Sequence, residues 1–217
     1  MARTPATVRT PATRSHRTER EGLALLVAIV ALMWIIEVIN TLDANQLNRD
    51  GLYPRNFEHL WGIVTSPFLH ASFAHLIGNT IPLVFMGVIV ALRGAARLAL
   101  VTLIVIVVGG LGTWLISPAN EVTVGASGVV FGYATYLLTR GIFNRSLLEL
   151  VMGAVVGLVF GGVLLASLVP HTGVSWQGHA CGAVAGILAA WLLARDREVQ
   201  GRARSGTDKL PARALAE

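Results

Sequence analysis

The sequence predicts an all-α fold: a polytopic membrane bundle of six transmembrane helices. Three observations predict it. Apolar residues make up 54% of the 217 and charged residues only 13%, with mean hydropathy +0.65, whereas soluble domains carry about 25% charged residues. Apolar runs long enough to enter or cross a bilayer recur along the whole chain, separated by short polar turns. The basic residues gather in the two tails and in alternate turns, the bias that orients membrane helices. That clustering also explains the net charge of +5 and the pI near 10.3 without a nucleic-acid partner.

Residues 1–20, rich in Arg, Thr, Pro and Ala, are expected to be a disordered cytoplasmic tail. A six-span domain is expected over 21–195 and a charged cytoplasmic tail over 196–217. The first span is predicted from about Gly22 to Ile39. It is too long for a signal-peptide core and lacks a nearby cleavage site, so it is read as retained. Glu37 near its outer end is read as an interfacial carboxylate reaching water. Residues 41–66 form a long loop whose Tyr53, Phe57 and Trp61 suit the membrane interface. The second span is predicted over about Phe68–Leu92, interrupted by Pro82, and the third over about Leu98–Ile116.

Ser127 opens a fourth span that ends near Arg140. At about 14 residues it is only about 21 Å long, against a hydrocarbon core of about 30 Å. A short helix that starts below the membrane surface needs a wet cavity there, because lipid cannot satisfy its free N–H groups. The fifth span, about Leu147–Leu168, carries Gly153, Gly157, Gly161 and Gly162, small faces for close packing or movement. The sixth runs from about Gly178 to Leu193. No internal repeat is evident. Arg93, Arg97, Arg140 and Arg145 occupy the inner turns, whereas only Arg49 and Arg55 fall in outer loops. Both termini are therefore expected in the cytoplasm, with Ser127 near the outer face.

The polar residues within these spans carry the functional signal, because ionisable side chains inside a membrane are costly. Ser127 lies in Gly125-Ala126-Ser127-Gly128, where a loop meets an apolar run. Free N–H groups and the helix dipole at such a helix start favour developing negative charge. The alternative is a helix start capped by Ser with glycines for packing. A Gly two residues after the serine is missing, since Val129 stands there, so the strand-to-helix elbow of soluble hydrolases does not fit. His75 and Asn79 share one face of the second span, with His70 upstream and expected nearer the mouth. His179 lies at the start of the sixth span, with Gly182 and Gly186 on its face. A Ser-bearing short helix facing a His at matching depth makes a nucleophile and general base. His75, Asn79 and the Ser127 N–H then surround an oxyanion. Cys181 is the only cysteine, so no internal disulfide can form. No zinc or phosphate-loop motif occurs, and neither metal nor cofactor is expected.

The segments His70–Asn79, Gly125–Gly128 and His179–Gly186, in this order on spans two, four and six, resemble the rhomboid intramembrane serine proteases of the bacterial six-span type. The resemblance covers about residues 55–195. It implies a Ser–His dyad in a water-filled cavity open to the outside of the plasma membrane, cleaving transmembrane segments of membrane-protein substrates. It also implies lateral substrate entry, with the fifth span and an outer cap loop as moving parts. Two features depart from the family pattern. Trp61 is followed by Gly62 rather than Arg, which questions how the first loop is anchored. Phe131 stands where a Tyr is common, four residues after Ser127; it can stack on His179 without the hydroxyl. Of the carboxylates, only Glu37 and Glu121 could approach His179, so a dyad without an acid is expected. The competing readings are a rhomboid-like protein that binds helices without cutting them, and a proton-relaying transporter, which repeated halves would favour.

Overall fold

The computed structural model describes residues 11–170 and 173–207, with side chains for 16–170 and 173–194. The outer parts of both expected tails, 1–10 and 208–217, lie outside the described residues. Helix α1 (Pro11–Leu42) takes in residues 11–20 of the expected N-terminal tail. A proline suits a helix start, where its missing N–H costs nothing, and an Arg17–Glu21 pair at 2.8 Å one turn apart supports the following turn. The expected water-facing Glu37 is instead fully buried, as is Asn40 one turn on. The Asn40 amide donates to Glu37 Oε2 at 3.4 Å. That bond offsets part of the cost of burial, while Glu37 Oε1 and Asn40 Oδ1 have no hydrogen-bond partner among the described residues.

The long first loop contains a short helix α2 (Gly62–Thr65) flanked by 3-10 turns. Its Phe57 and Trp61 are exposed, as expected of a segment lying at an interface. Helix α3 (Phe73–Ala91) starts five residues later than expected because Ser72 caps it, its hydroxyl accepting from the His75 N–H. Pro82 sits inside α3 without ending it. The third span is continuous from Ala95 to Ile116. It is built as α4 (Ala95–Ile104), a π-turn over Val105–Gly109 and α5 (Gly110–Ile116). Then follow α6 (Ser127–Phe143), α7 (Leu147–Ala166) and α8 (Trp176–Thr207), the last running into the expected charged tail.

Among the described residues, five helices are long and apolar enough to cross a membrane. The remaining one, α6, has 17 residues, about 25 Å of helix, and is the centre of the bundle. Ten of its residues are buried, and it packs most extensively on α8 and then on α7. Outward-facing positions elsewhere are apolar: Leu158, Val163 and Leu165 of α7 are each more than two-thirds exposed. Lipid, rather than water, suits such an exterior. At the end of α6 away from Ser127, Glu149 joins Arg93 at 2.8 Å and Arg140 at 3.2 Å, and accepts from the Asn144 amide at 2.6 Å. This ties α7 to α6 and to the α3–α4 turn.

Candidate active site

Ser127 is the first residue of α6, and the residue before it, Ala126, makes no side-chain cap. The capping alternative therefore does not describe this helix start. Its first N–H groups have no intrahelical acceptors, which leaves the positive end of the helix facing the site. The loop leading to Ser127 is held from two sides. Thr123 and Leu52 exchange main-chain hydrogen bonds of 2.9 and 3.0 Å, and the Gly125 N–H donates to the Ser66 carbonyl at 2.9 Å. Gly125 has φ +118°, and a Cβ there would run into the His75 ring. Only glycine meets both demands.

His75 and Asn79 lie on one face of α3, as their spacing requires, beside Gly125. Asn79 is buried, and its Nδ2 has no hydrogen-bond partner among the described residues. A buried amide donor without an acceptor is costly in a resting protein and ready for an incoming negative oxygen. His70 differs from expectation. It is fully buried beneath the site rather than near the mouth. Its Nε2 accepts from the Ala126 N–H at 3.4 Å, its ring meets the edge of His75 at 5.1 Å, and its carbonyl accepts from Asn40 at 3.2 Å. His70 lies in the connection before α3, outside the spanning helices, and burial, aided by His75, holds its imidazole down to about 4. A neutral ring is what the Ala126 N–H needs as an acceptor.

His179, on the first turn of α8, is buried, with Phe131 stacked on its ring at 4.4 Å and 10°. Its Nδ1 lies 2.8 Å from the Ser167 carbonyl oxygen. Phe131 thus stands where the sequence placed it. The glycines behave likewise: a Cβ on Gly182 would overlap the Gly128 carbonyl, and one on Gly186 that of Gly132. His75, Asn79, Ser127, Phe131, Ser167 and His179 all line one cavity of 240 Å3. A wider cleft of 730 Å3, which also reaches His75, carries Glu121 on its wall.

Two contributors escaped the sequence. Ser167 offers a main-chain atom, which no residue type announces. Arg55 anchors the first loop to the end of α5. Its main-chain N–H donates to the Trp114 carbonyl at 3.0 Å, and its guanidinium to the Leu115 and Ser117 carbonyls at 2.8 and 2.7 Å. These are orphan carbonyls at the end of α5, which a cation suits. The signal available was an unpaired Arg in an outer loop, where the orienting rule disfavours it.

Comparison with known proteins identifies the family. The model of the Rhomboid domain family matches residues 58–196. The uncharacterised protein Rv1337 of Mycobacterium tuberculosis is 40% identical over 209 residues, 91% of this chain and 87% of its own. Rhomboid-like protein 11 of Arabidopsis thaliana is 33% identical over 64% of this chain and 55% of its own length. Rhomboid protease GluP of Bacillus subtilis is 27% identical over 76% of this chain, but over only 33% of its own length. The chain is a multi-pass membrane protein and belongs to the rhomboid family.

Proposed function

We propose that the protein is an intramembrane serine endopeptidase that cleaves transmembrane segments of other membrane proteins. The observation that carries this is the single cavity lined by Ser127, His179, His75 and Asn79 at the start of α6. Ser127 Oγ attacks the scissile carbonyl carbon while its proton passes to His179 Nε2. The carbonyl oxygen becomes an oxyanion, stabilised by Asn79 Nδ2, His75 and the Ser127 N–H at the positive end of α6. When the C–N bond breaks, His179 returns the proton to the leaving amine. Water then attacks the acyl-Ser127 ester with His179 again as base, and the peptide acid is released. His70 supports the Ala126 N–H and His75 from beneath. We place both termini in the cytoplasm of a plasma membrane and the cavity on the outer side, on the strength of the Arg bias.

The test is turnover of a model transmembrane substrate together with labelling by a fluorophosphonate probe. Ser127→Ala should lose both, and His179→Ala should lose both while the protein still folds. Asn79→Ala should lose about 10- to 1,000-fold in turnover, comparable to one oxyanion donor, with its melting temperature largely kept. Turnover persisting in purified Ser127→Ala would end the serine mechanism.

A further inference from the structure

Resting on the Ser–His assignment above, we propose that the C-terminus of α7, through the main-chain carbonyl of Ser167, is the positioning group for His179. It does the work of the carboxylate in a three-membered serine site. The bond of 2.8 Å joins the Ser167 oxygen to Nδ1. A carbonyl oxygen can only accept, so Nδ1 carries the hydrogen and Nε2 keeps the lone pair that the base must offer to Ser127. In Ser–His–Asp sites the acid fixes this same tautomer and stabilises the imidazolium.

Helix architecture supplies both services here. The last carbonyls of a helix have no intrahelical donor, and Ser167 is the residue just past the end of α7. Its own N–H and Oγ turn back to the Val163 carbonyl, at 3.1 and 2.8 Å, which leaves its carbonyl aimed at the ring. A helix C-terminus also carries a partial negative charge of about one-half, which favours a cation beside it. The candidate acids occupy other places. Glu37 is buried with Asn40, which bonds the His70 carbonyl, and Glu121 lines the wider cleft; neither lines the cavity that holds His179. Phe131 fixes the plane of the ring by stacking at 4.4 Å. Ser167 fixes its rotation in that plane.

The decisive experiment replaces the peptide bond between Ser167 and Leu168 by an ester in the full-length chain, with the α-hydroxy analogue of leucine at 168. The Ser167 carbonyl then becomes a weak acceptor. A control ester between Ala166 and Ser167 removes the Ser167 N–H bond to Val163 but keeps the Ser167 carbonyl as an amide. We expect the first ester to lower kcat and the rate of fluorophosphonate labelling about 10- to 100-fold with KM nearly unchanged, and the control to stay within about threefold. The expected loss is smaller than the roughly 10⁴-fold cost of the wrong tautomer in a triad, because an ester weakens the bond without reversing it. Nitrogen-15 NMR of histidine-labelled protein, with the His179 signal assigned by its loss in His179→Gln, supplies the second readout. The neutral ring should carry its proton on Nδ1 in the native chain and on a mixture of the two nitrogens in the first ester. Equal losses in both esters would assign the effect to general disturbance of the chain there rather than to the Ser167 oxygen, and overturn the proposal. So would a neutral native ring protonated at Nε2, or full activity in the first ester beside an inert Ser127→Ala. Activity in Ser127→Ala would instead defeat the underlying serine mechanism.

Discussion

Helices α8 and α7 flank the same central helix, α6, and they do so in opposite ways. Against α8, α6 packs backbone to backbone. Gly182 and Gly186 sit on the carbonyls of Gly128 and Gly132, and the Thr135 hydroxyl donates to the Ala183 carbonyl at 2.7 Å. Close approach of this kind is how helices associate where lipid removes the hydrophobic drive. It fixes His179 relative to Ser127. Against α7, contact of that quality lies, among the described residues, at the end of α6 away from Ser127. There Gly153 lies on the Leu137 and Leu138 backbone, Gly141 lies on the Leu150 backbone, and Glu149 holds its two arginines. Towards the cavity a Cβ on Gly161 or Gly162 would meet nothing. There Phe160 meets the edge of Phe85 of α3 at 5.2 Å, Leu164 packs against the core, and the Ser167 carbonyl bonds His179. Close backbone packing is built into one flank, and open space into the Ser127 end of the other. The proposed mechanism uses both: Ser127 and His179 held rigidly, and room for a substrate segment beside α7.

Four substitutions test that contrast, from the largest effect to the smallest. Gly182→Val forces branched carbons into the Gly128 backbone, which has no rotamer to yield. Overpacking of this kind costs about 1–3 kcal/mol or more. Because it also displaces His179, turnover should fall at least about 100-fold, by the sensitivity of catalysis to misplacement of about 1 Å. Near-native turnover would mean that α8 slides past α6 without penalty. Glu149→Ala leaves Arg140, whose side chain is only 4% exposed, without its carboxylate. Removing one partner of a buried pair costs about 3–5 kcal/mol, so the melting temperature should drop markedly. Fluorophosphonate labelling well below that temperature should persist, since the cluster lies at the other end of α6. Loss of labelling in a protein that stays folded would show that the Glu149 end reaches the chemistry directly. Gly161→Ala and Gly162→Ala add methyls to open space. In a helix each should be neutral or stabilising by up to about 1 kcal/mol, with turnover within about twofold. A large loss in either would mean that the Ser167 half of α7 is packed during turnover.

Much of this was legible from residue types and spacing. A His75–Asn79 pair one turn apart and a Phe131 one turn from Ser127 each state their geometry in the sequence, whereas the φ of +118° that requires glycine at 125 does not. Helical periodicity carries such relations directly. The short central span was legible too, because its length follows from where polar residues stop and start. Burial of lone polar residues was not. Glu37 and His70 carry no mark of whether tertiary neighbours replace water, and their partners are Asn40 and the Ala126 N–H, which come from other turns or other segments. Anchoring of the first loop was hidden because Arg55 acts on carbonyls of α5, about 60 residues away. The α7 contribution was hidden most deeply, since every residue owns a carbonyl.

That last property has a consequence for how such a protein can change. A side-chain acid is a single heritable letter, open to loss by one substitution. The oxygen of Ser167 is encoded by no letter at all, and persists through any exchange that lets α7 end in the same place. Codon-by-codon mutagenesis would score the position as tolerant. The fifth span is therefore at liberty to diverge, in apolar composition and in fit to bilayers or clients, while the alignment of its terminal carbonyl with His179 stays intact. The inherited quantity is a length and a stopping point rather than an identity.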